Sequence, residues 1–479
     1  MTDIRTDTIL ESLKSSHFIK GVLIAFVILL LEIPIMKIRG VIKEREQTRT
    51  EAIDEITAKW GKSQSVIGPT ILVPYANRPS QSAYGGQQPQ PNAEYATFLP
   101  ESLKITGTIE TQLRYRGIFE IPVYRMSLVL TGRFSRPDLS EWTTDPNHVL
   151  WDQAYLSLQV SDARGMTKSP TLTWNDEMLS CLPNAGEFGA EHQGIHVKLK
   201  DHLNGQDFDF SISLELNGSI GAFFAPFGRD TEVRITSDWS SPSFQGAWLP
   251  TNRTVNAQGF DAAWNIPFLS RNFPQNWQSR SDLDQAVSSS LFGVNMILPV
   301  DHYRMAQRSV KYHFLFLVLT FATLWLLEVL IKVRVHPMQY LFIGAGICLF
   351  YLLELSLAEH IGFILAYAIA SATIIALVTS YSAGVLKTNA RAAIVGSVVT
   401  LLYIYLYVLL MIEDYALLIG SMGLLAVLAT IMFSTRNFDW YSLTDRAVVK
   451  SLADRQADKS PPSVSGNTAS KTSASSAPT

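Results

Sequence analysis

Apolar runs long enough to cross a membrane as helices occur in two parts of this chain, and no other feature restricts the fold as much. One run covers 21–36 (GVLIAFVILLLEIPIM); five more follow at 313–331, 338–357, 361–381, 392–412 and 415–433. A hydrocarbon core of roughly 30 Å takes about 20 helical residues. The runs therefore predict a membrane protein with six transmembrane α-helices in a 1+5 arrangement. Composition agrees, with 17% charged residues against about 25% in soluble globular proteins. The first run follows a twenty-residue segment and precedes no small-residue cleavage site, so it reads as an uncleaved anchor. Connections between the later runs are short enough to make neighbouring helices antiparallel.

Between the first run and the other five lie residues of ordinary soluble composition. Apolar positions Val41, Ile42, Ala52, Ile53, Ile56 and Trp60 fall near helical spacing, which predicts an amphipathic stalk helix over 37–66. After Gly68-Pro69 the period changes, and 67–312 reads as a mostly β domain. The stretch FDFSISLELNGSI at 208–220 alternates, with Phe208, Phe210, Ile212, Leu214 and Leu216 on one face, and Asn217-Gly218 predicts a hairpin turn. Strand-like text recurs at 70–75, 103–116, 121–134, 155–160 and 232–235. The Gly-, Pro- and Gln-rich segment 79–92 reads as a loop; 434–479 reads as a tail, disordered from about residue 458.

The short loops between the C-terminal runs sort by charge. Lys332, Arg334, Lys387, Arg391, Arg436, Arg446 and Lys450 fall on one side, and 357–361 and 412–415 carry no Lys or Arg. Positive loops face the cytoplasm. An even count of spans then places residues 1–20 and the C-terminal tail in the cytoplasm and residues 37–312 in the periplasm. Lys37 and Arg39 after the first run, and Arg304, Arg308 and Lys311 before the second, oppose that bias; they read as a basic collar at the membrane surface.

Glu32, Glu328 and Glu354 lie within the apolar runs, where an ionisable residue is first a functional hypothesis. Their depth argues for interfacial or helix-packing roles: Glu354 is three residues from the end of its run, about 4.5 Å at 1.5 Å per residue. With Glu359, Glu413 and Asp414, Glu32 and Glu354 are expected to form an acidic zone. In EHQGIHVKLKDHL, His192 and His196 have metal-ligand spacing, but Gln193 stands where a zincin needs Glu, and Gly194 with IHVKL reads as β. Signatures of serine hydrolases, nucleotide hydrolysis and dinucleotide binding are missing, and no catalytic, cofactor-binding or metal site is expected. SDARG at 161–165 and SDWSSPSFQGAWLP at 237–250 are loop-like; Asp162, Arg164, Trp239 and Trp248 are the candidate interaction or structural residues there. Two cysteines, Cys181 and Cys348, exclude a disulfide-stapled fold. A net charge of -3 gives no reason to expect a nucleic-acid partner.

At these loops the chain resembles the bacterial CreD family of cell envelope integrity proteins. The phrases that carry the resemblance include IPIMKIRGVIKER at 33–45, VIGPTILVPY at 66–75, SDARG, SDWSSPSFQGAWLP, DHYRMAQRSVKYHFLFLVLTF at 301–321 and RNFDWY at 436–441. The N-terminal extension and the Ser/Ala-rich tail depart from the family pattern. The resemblance implies a multi-pass inner-membrane protein of a Gram-negative bacterium, belonging to a two-component regulon and linked to tolerance of colicins and wall-active antibiotics. It carries over no catalytic or ligand residues. The leading expectation is a non-enzymatic factor whose periplasmic domain binds a protein or cell-wall component, with the lipid bilayer as its other partner. A transporter or flippase-like protein using the carboxylates is the alternative, and a membrane-tethered enzyme with a dispersed site the third.

Overall fold

The computed structural model describes residues 16–76, 93–142, 148–186, 193–278, 282–297, 301–331, 335–412 and 415–436. Two compact units result: a helical unit built from the two ends of the chain, with boundaries at residues 43 and 302, and a β unit spanning 44–301. The expected loop at 79–92, Glu413, Asp414 and the tail beyond residue 436 fall outside the described residues.

Helix α1 (Ser16–Trp60) is continuous through the apolar run and the charged stretch after it. In the β unit α2 (Asp282–Ser289) is short; the helical unit continues with α3 (His302–Lys311), α4 (His313–Ile331), α5 (Pro337–Ile361), α6 (Phe363–Leu386), α7 (Asn389–Met411) and α8 (Ala416–Thr435). By length and composition α1, α5, α6 and α7 can cross a membrane, and α3 with α4, bent by 43° at their junction, can form a fifth span; α8 is apolar but shorter over its fully described part. Residues 302–312 were expected within the 67–312 β-rich domain, with Arg304, Arg308 and Lys311 at the spacing of one helical face. They form instead the amphipathic α3, whose Tyr303, Ala306, Ser309 and Val310 are buried in the helical unit. Their helical spacing buries one face, which a strand could not do with the same residues.

The β unit is a sandwich of two sheets. Its strands are β1 (Gln64–Ala76), β2 (Ala93–Phe98), β3 (Ser102–Arg116), β4 (Phe119–Ser135), β5 (Tyr155–Val160), β6 (Thr171–Trp174), β7 (Glu177–Leu179), β8 (Leu182–Pro183) and β9 (Gly194–Lys198). They continue with β10 (Asp207–Ser219), β11 (Gly221–Phe224), β12 (Asp230–Ser237), β13 (Pro242–Gly246), β14 (Asn252–Asn256), β15 (Gly259–Pro267), β16 (Asn276–Gln278) and β17 (Phe292–Met296). One sheet runs β13-β17-β11-β1-β5-β9-β8, with β2 bridging β1 and β16; the other runs β14-β15-β12-β3-β4-β10-β6-β7. The alternating apolar residues of β3, β4 and β10 meet β1, β5 and β11 in one core, where Trp174 stacks on Phe208 and Trp264 packs on Phe292.

Asn217-Gly218 does not make the expected turn. Both residues lie inside β10, and the chain crosses between sheets at Ile220, which has a φ of 65°. Gly218 is needed for close approach: a Cβ there would lie 2.4 Å from the Tyr124 ring, whose hydroxyl donates to Gly221 O at 2.6 Å.

The stalk ends at Trp60 rather than at 66, because the residues beyond it are committed to the sheet. Ala52, Ile53, Ile56 and Trp60 pack against Phe119, Ile121 and Val123 of β4. Fully burying a side chain such as Ile121 is worth about 1.5–3 kcal/mol, whereas the exposed Arg116–Glu55 pair beside it belongs to a class worth about 0–1. Apolar packing therefore holds the helix on the hairpin. Just past the helix, Asp162, 2% exposed, accepts from Lys62 N at 3.2 Å and from Arg164 N, Nε and Nη2 at 3.2, 2.9 and 3.0 Å. Gln64 Nε2 donates to Asp162 O and Asn217 O, and Ser219 Oγ to Gly61 O. This network turns the helix into β1.

Burial by itself raises the Asp162 carboxyl, but the Arg164 guanidinium and the N–H groups of Lys62 and Arg164 outweigh it and hold the group below the usual Asp range. The unfolded chain therefore takes up this proton first. The stabilisation is complete above the ordinary Asp value of about 4 and is lost as pH falls through the lower native value. Asp162→Ala is expected to lower the unfolding free energy of the β unit by roughly 2 kcal/mol at neutral pH, read by denaturant titration of the full chain. The same variant should flatten the acid limb of its stability profile.

Candidate functional site

In the helical unit, the carboxylates within the apolar runs meet partners that are remote in sequence. Lys20 near the start of α1 forms an ion pair with Glu328 near the end of α4, and its Nζ also donates to Val335 O at 2.5 Å. Tyr340 of α5 donates to the other Glu328 oxygen at 3.2 Å. Farther along α1, Glu32 lies 2.6 Å from Nε2 of His313, the first residue of α4. His313 Nδ1 is 2.8 Å from Val310 O, so that nitrogen is the donor there; Arg39 Nη2 lies 3.3 Å from the same ring.

These two pairs make α1 and α4 antiparallel. Lys20 and Glu32 are twelve residues apart, about 18 Å at 1.5 Å per residue, while His313 and Glu328 are fifteen apart, about 22 Å. The apolar stretches between them pack closely on α5. At Gly344 a Cβ would lie 2.2 Å from Leu31 Cδ1 and 2.8 Å from Phe321 Cζ, so α1, α4 and α5 meet where no side chain larger than hydrogen fits.

Glu354 is different. It is 0% exposed, so its nearness to a helix end does not give it the reach toward lipid headgroups expected from depth. Depth along a helix does not specify which face a residue takes, and this face of α5 packs on α3. Ser309 Oγ donates to Glu354 Oε2 at 2.8 Å, and Oε1 has no hydrogen-bond partner. Around it stand Tyr351, Tyr367 and Tyr403, each within electrostatic reach of the carboxyl. Tyr367 donates to Tyr403 O at 2.6 Å, while the hydroxyls of Tyr351 and Tyr403 are buried without a partner.

The expected acidic zone is thus divided among separate partners: Glu32 with His313, Glu354 with Ser309, and Glu359 with the hydroxyl of Tyr303 at 2.8 Å. The collar is divided too. Lys37, Arg39, Arg304 and Lys311 are exposed, with Arg39 also in contact with His313, whereas Arg308 is half-buried and donates to Leu409 O at 3.1 Å. Sequence spacing did not single out Lys20, His313, Ser309 or the tyrosines; Lys20 and His313 each stand at the polar edge of an apolar run, which was the one available signal.

In the β unit, Asp162 and Arg164 belong to the network after α1. Trp239 Nε1 donates to Ser241 O and Ile297 O; Trp248 packs edge-on against Phe292 and its carbonyl accepts from Trp264 Nε1. His196 lies on β9 beside Asn184 O at 3.1 Å, and His202 pairs with Glu177 at 3.5 Å; Glu191 and His192 fall outside the described residues. Among the described residues no three His, Cys, Asp or Glu side chains gather as metal ligands. Beside β7 and β8, the end strands of their two sheets, a cleft of about 940 Å³ is lined by Lys168, Met178, Leu179, Cys181, Leu182 and Pro183 among others. Met178 is 74% exposed.

Along the chain, an apolar helix, a β sandwich and further apolar helices follow in that order, and the sequence matches a known family. The family model described as inner membrane protein CreD matches residues 16–441, from the start of α1 to beyond α8. The chain belongs to the CreD family. It is 34% identical over 436 residues to the inner membrane protein CreD of Escherichia coli (strain K12), covering 90% of this chain and 95% of that relative. As a CreD-family member it is a multi-pass inner-membrane protein, and the outward Phe26, Leu29, Leu349 and Ile404 of its helices, all more than half exposed, contact lipid.

For this CreD-family chain, Lys20→Glu is expected to lower the thermal stability of the detergent-solubilised protein, at a cost of roughly 3 kcal/mol for breaking a largely buried pair. Adding Glu328→Lys should recover part of that loss, and a double-mutant cycle showing no coupling would refute a stabilising Lys20–Glu328 pair.

Proposed function

We propose that the chain is a six-span inner-membrane envelope factor with both termini in the cytoplasm, the β unit in the periplasm, and a role in envelope integrity of the kind the family resemblance implies. Its β unit acts by binding, and the cleft beside β7 and β8 holds an extended stretch of an envelope protein. The observation that carries this reading is the cleft itself. Strands β7 and β8 each pair with a neighbour on one side only among the described residues, which leaves main-chain donors and acceptors of the kind that strand addition uses. Met178 and Leu182 supply adaptable apolar contact, and exposed methionine suits a surface that meets varied side chains.

The sixfold span count takes α3 with α4 as one crossing and α8 as the last. Lys387 and Arg436, both exposed at helix ends, support a cytoplasmic placement for that side. The antiparallel register of α1 and α4 supports exit and re-entry of the chain on one face.

A photoreactive residue at Met178 in the full chain is expected to capture a discrete envelope protein, and Leu182→Glu should weaken capture roughly tenfold, as loss of about 1.4 kcal/mol of contact would. Equal capture by wild type and variant would exclude the cleft. A reporter active only in the periplasm, fused after residue 200, is expected to be active; a silent reporter with an active cytoplasmic counterpart would reverse the orientation.

A further inference from the structure

We propose that Glu354, with Ser309 and the hydroxyls of Tyr351 and Tyr403, forms a reversible proton-binding site inside the helical unit. Glu354 and Ser309 are 0% exposed, Tyr351 1% and Tyr403 2%. Among the described residues Ser309 is the one hydrogen-bond partner of the carboxyl, and three buried oxygens around it, Glu354 Oε1 and the two tyrosine hydroxyls, have none. A bare carboxylate in such surroundings is heavily penalised unless something neutralises it.

The neighbouring ionisable groups do not supply that charge. On α3, Arg308 is turned to Leu409 O and Tyr303 to Glu359; on α4, His313 is held by Glu32 of α1. The remaining neighbours are Cys348 on α5, which lies against Leu31 O, Tyr367 on α6, and Tyr403 and Tyr407 on α7, all uncharged. The neutralising species is therefore small and positive.

Coordination chemistry selects the proton. A hard metal ion gathers about six or more oxygens. Here five side-chain oxygens are at hand, the two of Glu354 with Ser309 Oγ and the Tyr351 and Tyr403 hydroxyls, which falls short of that number, and helix carbonyls are committed to the helix ladder. A hydroxyl can serve both protonation states, since Ser309 Oγ, which donates to the carboxylate, can turn its lone pair to accept from the acid. Because Ser309 lies on α3 and Glu354 on α5, taking up or releasing the proton changes the bond that joins those helices. Occupancy can thus bias two arrangements of α3, in proportion to its differential affinity for them.

The test is infrared difference spectroscopy of the full chain in lipid vesicles, exchanged between acid and alkaline buffer. The carbonyl stretch of a carboxylic acid in apolar surroundings should appear in the wild type and disappear in Glu354→Gln. In Ser309→Ala, which keeps the carboxyl, the band should persist at higher frequency because the hydroxyl no longer donates to the carbonyl. Sodium added at constant pH should leave the band unchanged. A wild-type spectrum identical to that of Glu354→Gln would overturn the proposal, as would a Ser309→Ala band at the wild-type frequency. Loss of the band on adding sodium would overturn it in favour of a metal cation.

Discussion

The antiparallel register of α1 and α4 depends on two polar contacts, the Lys20–Glu328 ion pair and Glu32 with the His313 ring. Apolar helices in lipid gain little from hiding apolar surface against one another, since the acyl chains are equally apolar. Which helices pair, and in which register, is left to polar contacts and to close approach. Here the polar contacts bracket an apolar stretch, and Gly344 lets α5 come within touching distance of Leu31 and Phe321 between them. A one-turn slip of α1 would separate both pairs and strand charged groups in an apolar layer, which is the costliest error available to this unit.

The β unit solves a related problem with a network of hydrogen bonds. A helix that stops must satisfy its last carbonyls and turn its chain, and α1 stops where Gly61, Lys62 and Gln64 are all engaged by Asp162, Asn217 and Ser219. In sequence Asp162 is a candidate interaction or structural residue. Its surroundings make it a junction, because each of its oxygens is already occupied by donors.

Comparison of the three carboxylates separates anchoring from chemistry. Glu328 and Glu32 each have a basic partner, and removing either partner would cost stability. Glu354 has a serine, and its second oxygen is buried without a hydrogen-bond partner. A group retained there without a cation contributes little to packing that an apolar side chain would not contribute better. That imbalance is what makes it the residue of chemical interest.

Apolar runs, helical periodicity in 37–60 and alternation in 103–116, 121–134 and 208–216 were legible from residues alone, because each depends on local period and length. The resemblance to CreD was legible for a similar reason, being carried by contiguous phrases. What local pattern could not reveal was partnership between distant residues. Asn217-Gly218 has the composition of a turn, yet the Tyr124 ring across the sheet requires it within a strand. Residues 302–312 adjoin the β domain in sequence but belong with the helices, because their buried face has a helical period. Glu354 looked interfacial by depth, and only packing determines which way it faces. Sequence by itself located the apolar segments, the β-rich stretch between the first and the later ones, and the family. Tertiary structure alone decided which charges are paired and which carboxyl is left enclosed, since burial and hydrogen bonding are properties of residues brought together from hundreds of positions apart.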